Sequence, residues 1–205
     1  MSLSAAEIAS LLASAGIPAD PPLSEQLSAY LALLLKWNAR TNLTAIREPS
    51  EIVLRHFADS LFCARHLAPS AHTLLDFGSG AGFPGIPIAL AHPQIHVTLA
   101  ESQNRKAAFL REAVRRLHLN AEIWSERVEA MPPEELYDAV TLRAVDQMES
   151  ACRVAVQRVA PGGQILIFTT DRLIDSLISS IPSIAWQRPA HLPHSEHGLL
   201  LLGHS

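Results

Sequence analysis

The segment DFGSGAGFPG, residues 76–85, contains four glycines in ten positions and directly follows the strand-like run TLL, residues 73–75. Because glycine has no Cβ, this density is typical of a tight strand-to-helix turn on which a ligand lies close to the backbone. Gly80, Gly82 and Gly85 also match the G-x-G-x-x-G fingerprint of dinucleotide-binding folds. The segment therefore predicts an α/β fold with a cofactor bound at this turn.

The charges around the turn separate two cofactor classes. Asp76 ends the predicted strand, and a carboxylate there would repel a pyrophosphate, while Pro84 and Pro87 remove two N–H donors that a pyrophosphate would use. The same carboxylate suits a ligand with an ammonium and a sulfonium group, such as S-adenosylmethionine. Glu101, at the end of the next predicted strand, is spaced for a ribose contact in either class. The residues favour S-adenosylmethionine and leave an NAD(P)-binding oxidoreductase open.

Strand-like and helical segments alternate along most of the chain. The predicted strands are residues 72–77, 95–100, 121–124, 139–142, 164–168, 184–188 and 199–202. With helices expected between them, this alternation is typical of a mostly parallel sheet that has helices on both faces. Earlier residues have helical patterns. We therefore predict a helical N-terminal extension, residues 1–70, and an α/β domain, residues 71–205, which together form one compact unit.

Composition and charge limit the classes of partner. With 205 residues, of which 48% are hydrophobic and 18% charged, the chain predicts a globular domain rather than a disordered one. The net charge of −4 gives no general attraction to nucleic acid, so an RNA partner requires a local basic patch. Its candidates are Arg40, Arg47, Arg55, Arg65, Arg105, Lys106, Arg111, Arg115 and Arg116. Since no signal-peptide or membrane-span pattern is found, we expect a cytoplasmic protein without a membrane partner.

Cysteine and histidine patterns do not predict a metal site or a thiol nucleophile. Cys63 and Cys152 match no metal-binding spacing, and their small or apolar neighbours favour packed, reduced thiols. The histidines within residues 191–197 recur at every third position, but Pro193 interrupts them and a polar loop is the better interpretation. We expect no bound metal.

Two polar features of the helical extension each have a functional and a structural interpretation. Trp37 fits either stacking on a splayed base or packing where the helices meet the sheet. His56 and Asp59 are one helical turn apart, which fits a charge-relay pair but is also the spacing of a contact that only orders the helix end. In both cases the structural interpretation is the more common outcome.

Residues 76–88 resemble the first motif of class I methyltransferases, and the longer GSGAGFPG form resembles that of one bacterial family. This is the 16S ribosomal RNA guanine-N7 methyltransferase family, also called glucose-inhibited division protein B. The resemblance spans about residues 30–170. Its other segments are residues 36–46, 55–61, 101–110, 127–129 and 142–144.

The resemblance implies a Rossmann-like fold with a mostly parallel seven-stranded sheet, and it implies S-adenosylmethionine as cofactor. Carried over residue by residue, the cofactor-binding residues would be Gly78, Gly80, Phe83, Glu101, Val128, Glu129 and Arg143. Glu101 would hold the ribose hydroxyls, Val128 and Glu129 would flank the adenine, and Arg143 would line the pocket beyond the fourth strand. The implied partner is 16S ribosomal RNA or the small ribosomal subunit, bound by a monomer.

The implied reaction needs no catalytic base. N7 of guanine offers an unprotonated lone pair, so the enzyme mainly aligns donor and acceptor, and Arg143 is the one candidate for a catalytic role. One segment departs from the family pattern, because residues 168–170 read FTT where family members often have a lysine. This departure leaves open a ribosome-assembly factor that binds RNA without catalysis.

Overall fold

The computed structural model describes residues 2–205 and begins with a helical extension. Helix α1 (Ala5–Ser14) starts with a capping box between Ser4 and Glu7, which satisfies backbone N–H groups that the first turn leaves free. Asp20 caps the long helix α2 (Pro21–Thr41) in the same way, by accepting the N–H of Leu23. The extension then continues through α3 (Pro49–Ile52), a π-helical turn (Val53–Phe57) and α4 (Ala58–Ala64).

The remainder of the chain forms an α/β sheet domain. Its strands are β1 (Thr73–Phe77), β2 (His96–Ala100), β3 (Ala121–Trp124), β4 (Tyr137–Arg143), β5 (Val159–Thr170), β6 (Ala185–Trp186), β7 (Ala190–His191) and β8 (Gly198–His204). Its helices are α5 (Gly85–Ala91), α6 (Asn104–Leu117), α7 (Met148–Val156) and α8 (Asp171–Ser180). The strand order is β3-β2-β1-β4-β5-β8-β6, with β1 to β5 parallel and β8 antiparallel to β5. The predicted, mostly parallel fold is confirmed.

The sheet has eight strands where seven were expected, because its last edge strand is interrupted. Both β6 and β7 pair with β8 on the edge that β5 does not occupy. The partner register shifts by one residue between Trp186↔Gly203 and Ala190↔Leu200, which is a bulge. Pro189 lies in the interruption and cannot donate to a ladder, so one continuous strand at residues 184–188 does not form.

Two connections also differ from the expected pattern. Between β3 and β4 a helix was expected, but the chain forms only a short 3-10 turn (Val128–Ala130) before Pro132 and Pro133, whose rings disfavour helix continuation. The turn predicted at residues 160–163 lies inside β5, where the register jumps between Tyr137↔Val159 and Ala139↔Gln164. The glycines there form an irregular entry into the strand.

Apolar side chains form one core on each face of the sheet. Successive strand residues point to opposite faces, so Leu74 and Leu166 pack with the helical extension while Leu75 and Ile165 pack on the side of α7 and α8. The extension is joined to the sheet domain by Tyr30, a fully buried residue of α2 whose hydroxyl donates to the carbonyl of Ala81 at 2.5 Å. This contact connects α2 to the glycine turn.

Candidate cofactor-binding site

The glycine turn after β1 uses its backbone N–H groups within the protein. Gly80 donates to the Glu101 carboxylate at 3.0 Å and Gly85 donates to the Asp76 carboxylate at 3.1 Å. Carbonyl oxygens accept the N–H groups of Ser79, Gly82, Phe83 and Ile86. A pyrophosphate at a Rossmann turn is bound through free backbone N–H groups, and here six of them already have acceptors. The turn is therefore unlike a dinucleotide cradle despite its matching letters.

Asp76 lies beneath the turn and does not face a ligand. Its side chain is fully buried, with one oxygen accepting the Thr141 hydroxyl at 2.9 Å and the other accepting the N–H of Gly85. Burial raises the pKa of this carboxyl to about 6, against the lowering effect of these hydrogen bonds. The expectation that the Asp76 charge selects the ligand is wrong, because the carboxylate fixes the turn from inside.

Close packing explains two of the glycines. A Cβ at Gly85 would lie 2.4 Å from the Leu99 side chain, so only glycine lets α5 approach β2 at this point. Gly78 has a φ of +72°, and a Cβ there would lie 3.3 Å from Val145 across the opening of a cleft. Gly78 thus keeps the backbone bare where the chain leaves β1.

An open cleft of about 430 Å³ lies at the carboxyl ends of β1, β2 and β4. This size is typical of small-ligand sites, and the position is where ligands bind in open parallel sheets. The glycine turn contributes Gly78, and the 3-10 turn contributes Val128 and Glu129. Ala144, which follows β4 and has a φ of +51°, begins the opposite wall. Four separate loops therefore converge on one cleft.

Glu101 is the most constrained polar side chain in the cleft lining. It is 7% exposed, and its carboxylate accepts the N–H of Gly80 at 3.0 Å and the N–H of Gln103 at 2.7 Å. Each oxygen accepts one of these bonds and has capacity for another. Glu101 is therefore held rigidly with the ability to accept hydroxyl groups from a ligand.

The charge of the cleft lining is mainly negative. Its four carboxylates belong to Glu101, Glu126, Glu129 and Asp146, and its two cationic side chains belong to Lys106 and Arg127. Such a lining attracts a positively charged ligand and repels a diphosphate. The charge argument first made for Asp76 thus holds for other residues, of which the sequence pattern had not singled out Glu126.

The predicted cofactor residues divide into two groups. Gly78, Glu101, Val128 and Glu129 line the cleft, as listed from β1 to the 3-10 turn. Gly80 lies behind this lining and holds Glu101. Phe83 and Arg143 lie outside the lining, on the side of the helical extension. Phe83 is 6% exposed and stacks on His56 with ring centroids 4.5 Å apart.

A match to a family of known proteins agrees with this geometry. The model for the family described as rRNA small subunit methyltransferase G matches residues 23–184. The chain belongs to this family. Ribosomal RNA small subunit methyltransferase G of Xanthomonas euvesicatoria is 45% identical over 148 residues, which are 72% of this chain and 69% of that protein. Its namesake in Stenotrophomonas maltophilia is 47% identical over 156 residues, 76% of this chain and 72% of that protein.

Solved structures of other methyltransferases share the fold of this rRNA small subunit methyltransferase G family member. An O-methyltransferase from Bacillus cereus, crystallised with S-adenosylhomocysteine, aligns with a TM-score of 0.65 at 18% identity and 97% coverage of both chains. A methyltransferase from Aquifex aeolicus described as SAM-dependent aligns with a TM-score of 0.62 at 16% identity, covering 80% of this chain and 97% of that one. At such identities the likeness concerns the fold alone.

Arg143 forms a buried ion pair that the sequence did not predict. Its guanidinium donates to Asp59 at 2.9 Å and to the carbonyl of Arg55 at 2.6 Å, and it lies 4.8 Å from the ring centroid of Phe168. Asp138 and Asp146 had been considered as partners. Asp138 instead accepts backbone N–H groups at the start of β1. Arg143 thus ties β4 to the helical extension.

His56 and Asp59 do not contact each other as their spacing suggested. The Nε2 atom of His56 lies 3.0 Å from the Thr44 hydroxyl, whereas Asp59 pairs with Arg143. Burial, with the charges of Arg143 and Arg55, lowers the pKa of His56 to about 3, so the imidazole is neutral near pH 7. Within residues 2–205, Nδ1 of His56, Oδ1 of Asp59 and Nη1 of Arg143 are buried without a hydrogen-bond partner.

The remaining candidates have structural environments. Cys63 and Cys152 are buried, and burial raises the pKa of both thiols, that of Cys152 to about 12, so neither is a thiolate near neutral pH. Trp37 packs on Phe109 and donates to Glu112 at 3.1 Å where α2 meets α6. Among residues 2–205 the structure contains no cluster of three metal-ligating side chains. In that same range, no helix combines the length and apolarity needed to cross a membrane.

Proposed function

We propose that this chain transfers a methyl group from S-adenosylmethionine to N7 of a guanine in 16S ribosomal RNA. The acidic cleft beside the glycine turn carries the proposal, because its carboxylates suit a cationic ligand and its turn has few N–H groups left for a diphosphate. Family membership supports the reaction class, and the relatives named above carry ribosomal RNA of the small subunit in their names.

The rigid carboxylate of Glu101 is proposed to accept the ribose hydroxyls of the cofactor. Val128 and Glu129 would flank the adenine, and the bare backbone at Gly78 would leave room for the methionine part. When bound, S-adenosylmethionine supplies a methyl group on a positively charged sulfur. Gly80 supports the site from behind by holding Glu101. Phe83 and Arg143 support it by joining the turn and β4 to the helical extension.

The chain is proposed to act by alignment without a general base. N7 of guanine carries a lone pair and no proton, so the protein has only to hold the base in line with the methyl group. The neutral His56 and the protonated, buried thiols lie away from the cleft lining and have no role that this transfer requires. Removal of bulk water and fixed orientation would supply the rate enhancement.

The substrate and setting of the reaction are also proposals. A ribosomal RNA substrate is met in the cytoplasm, and we propose that the chain acts there as a monomer on 16S RNA or on the small subunit. Sedimentation of the purified chain at micromolar concentration tests the monomer and is expected to give a mass near 22.3 kDa. A sedimenting dimer would contradict it.

Transfer of labelled methyl groups tests the proposed reaction. The purified chain would be incubated with tritiated S-adenosylmethionine and with two substrates that lack the modification, namely naked 16S RNA and intact small subunits. We expect label in the RNA of at least one substrate, at a single guanine, with a product that is cleaved under conditions specific for N7-methylguanine. The labelled nucleotide would then be mapped.

Two outcomes would select the competing functions. Calorimetric binding of NAD at micromolar concentration, without binding of S-adenosylmethionine, would favour an oxidoreductase. Cofactor binding without label in either RNA substrate would favour a non-catalytic assembly factor, an alternative kept open by the sequence FTT at residues 168–170.

A further inference from the structure

A groove with cationic walls runs between α2 and α6 on the outside of the molecule. It consists of two depressions of about 640 and 270 Å³ that share Lys36. From α2 its cationic side chains are Lys36 and Arg40, and from α6 they are Arg115 and Arg116. We call this feature the basic groove. Sequence position alone does not bring these residues together, because 75 positions separate Arg40 from Arg115.

The cationic side chains of the basic groove exceed its acidic ones. Glu112 is the one carboxylate in the lining, and it binds Arg116 at 2.8 Å and the indole N–H of Trp37 at 3.1 Å. Lys36, Arg40 and Arg115 are exposed, and none of the ion pairs found in residues 2–205 includes them. Three cations therefore remain available to a polyanion.

The floor of the groove is rigid and its mouth is open. Trp37 is half-buried between the helices, packed edge-on against Phe109 with ring centroids 5.8 Å apart. Ala29 and Ala32 are exposed on the α2 wall, where their small side chains leave space above the floor. A preformed, open channel of this kind can receive a sugar-phosphate backbone without rearrangement of the helices.

Helix α6 connects the basic groove to the cofactor cleft. Lys106, near its first turn, lines the cleft, whereas Arg115, near its last turn, lines the groove. Nine residues separate them, which corresponds to about 14 Å along a helix that rises 1.5 Å per residue. An RNA strand whose base reaches the cleft can therefore have its neighbouring phosphates within reach of the groove.

We propose that the basic groove binds backbone phosphates of the RNA substrate on one side of the nucleotide that enters the cleft. The inference rests on the proposed function for the identity of the RNA. Lys36, Arg40 and Arg115 supply the phosphate contacts, and Trp37 with Glu112 keeps their two helices in register. The contacts are independent of base sequence and give affinity and orientation.

Removal of the three free charges tests the groove. A triple variant, Lys36→Gln with Arg40→Gln and Arg115→Gln, would be titrated against naked, unmethylated 16S RNA at several salt concentrations. Because each lost phosphate contact lowers the slope of log affinity against log salt by about 0.7 to 0.9, we expect a slope smaller by about 2 to 3. The affinity at low salt is expected to fall by about 10- to 100-fold. Calorimetry with S-adenosylmethionine is expected to give an affinity within about twofold of wild type, since the groove lies outside the cleft.

A matched control removes three equally exposed cations from the other face of the sheet. Its substitutions are Arg153→Gln, Arg172→Gln and Arg188→Gln. It changes the net charge by the same amount, and we expect its salt slope to stay close to that of wild type. An unchanged slope in the groove variant, or equal losses in both variants, would overturn the proposal.

Comparison of the two RNA substrates excludes a protein partner. If the groove variant binds naked RNA normally and loses affinity only for assembled subunits, the groove contacts a ribosomal protein and the proposal is wrong. The readout is RNA binding and involves no methyl transfer. Failure of the proposed reaction would therefore appear as absent label with intact, groove-dependent RNA binding, which is distinguishable from failure of the groove.

Discussion

The cofactor cleft and the basic groove lie along the same helix, α6, and carry opposite charges. The cleft is lined by four carboxylates and two cationic side chains, and the groove is lined by four cationic side chains and one carboxylate. Their separation along α6 exceeds the Debye length of about 8 Å at physiological salt, so each region presents its own charge to solvent. A chain with a net charge of −4 can therefore attract a cationic cofactor and a polyanionic substrate at once.

The two regions also differ in how their charged groups are held. In the cleft, Glu101 is fixed by two backbone N–H groups, whereas Lys36 and Arg40 in the groove extend freely from an exposed helix face. Fixed acceptors suit a small ligand with hydroxyl groups at defined positions. Flexible cations suit phosphates that vary in position along an RNA strand. Net charge alone would have predicted neither region.

The largest expected effect breaks the cleft and leaves the groove intact. In Gly78→Asp, a side chain enters the opening at a φ of +72°, with its Cβ 3.3 Å from Val145. We expect S-adenosylmethionine affinity measured by calorimetry to fall by about 100-fold or more, or on the order of 3 kcal/mol, as overpacking of a fitted site predicts. RNA affinity is expected to be unchanged.

Gly162→Asp is the matched control for this substitution. Gly162 has a similar φ of +76°, but a Cβ there would meet no atom within 4 Å. The backbone strain is therefore comparable while the cleft is untouched. Normal cofactor affinity in Gly78→Asp, or an equal loss in Gly162→Asp, would show that Gly78 does not border the ligand.

A second prediction sharpens which acid belongs to the cleft. The pKa of Asp76 is raised by burial to about 6, above its unfolded value of about 3.9, so the folded state binds this proton more tightly. Its contribution to stability is fully present below pH 4 and is lost as the pH rises through 6. We expect the free energy of unfolding of wild type, relative to Asp76→Asn, to fall by about 3 kcal/mol between pH 4 and pH 7.

Urea unfolding of both proteins at each pH measures this difference. Asn keeps an oxygen for the N–H of Gly85 and an amide for Thr141 without a titrating charge. A difference that stays constant with pH would mean that the Asp76 carboxylate is solvated and faces the ligand after all.

The smallest of these effects separates hydrogen bonding from charge within the cleft. Glu101→Gln removes charge-assisted bonds from Gly80 and Gln103, and we expect a loss of about 1.5–3 kcal/mol, or roughly 10- to 100-fold, in S-adenosylmethionine affinity. Glu126→Gln removes an exposed charge from the same lining, and there we expect about fivefold or less. Equal losses in calorimetry would mean that only the total negative charge matters.

The sequence predicted the features that depend on neighbouring residues. The glycine spacing of residues 76–85 located the turn, and the alternation of patterns located the parallel sheet, because both signals are local. The positions of Gly78, Glu101, Val128 and Glu129 followed from motif resemblance together with the rule that ligands bind at the carboxyl ends of parallel strands.

Features that depend on distant packing were not predictable in the same way. The Asp59–Arg143 pair joins residues 84 positions apart, and the groove requires α2 to pack beside α6. Whether Asp76 faced a ligand or the interior depended on the path of the turn above it, which leaves the carboxylate fully buried. Motif letters specify residue types at a turn but not which side of the backbone each side chain occupies.

The most direct test of the account is a crystal structure of the chain with S-adenosylhomocysteine. The account predicts the ribose hydroxyl oxygens within about 2.6–3.2 Å of the two Glu101 oxygens, with the adenine against Val128 and the N–H bonds from Gly80 and Gln103 retained. A ligand whose ribose lies away from Glu101, or which occupies a place outside the cleft between β1, β2 and β4, would contradict it.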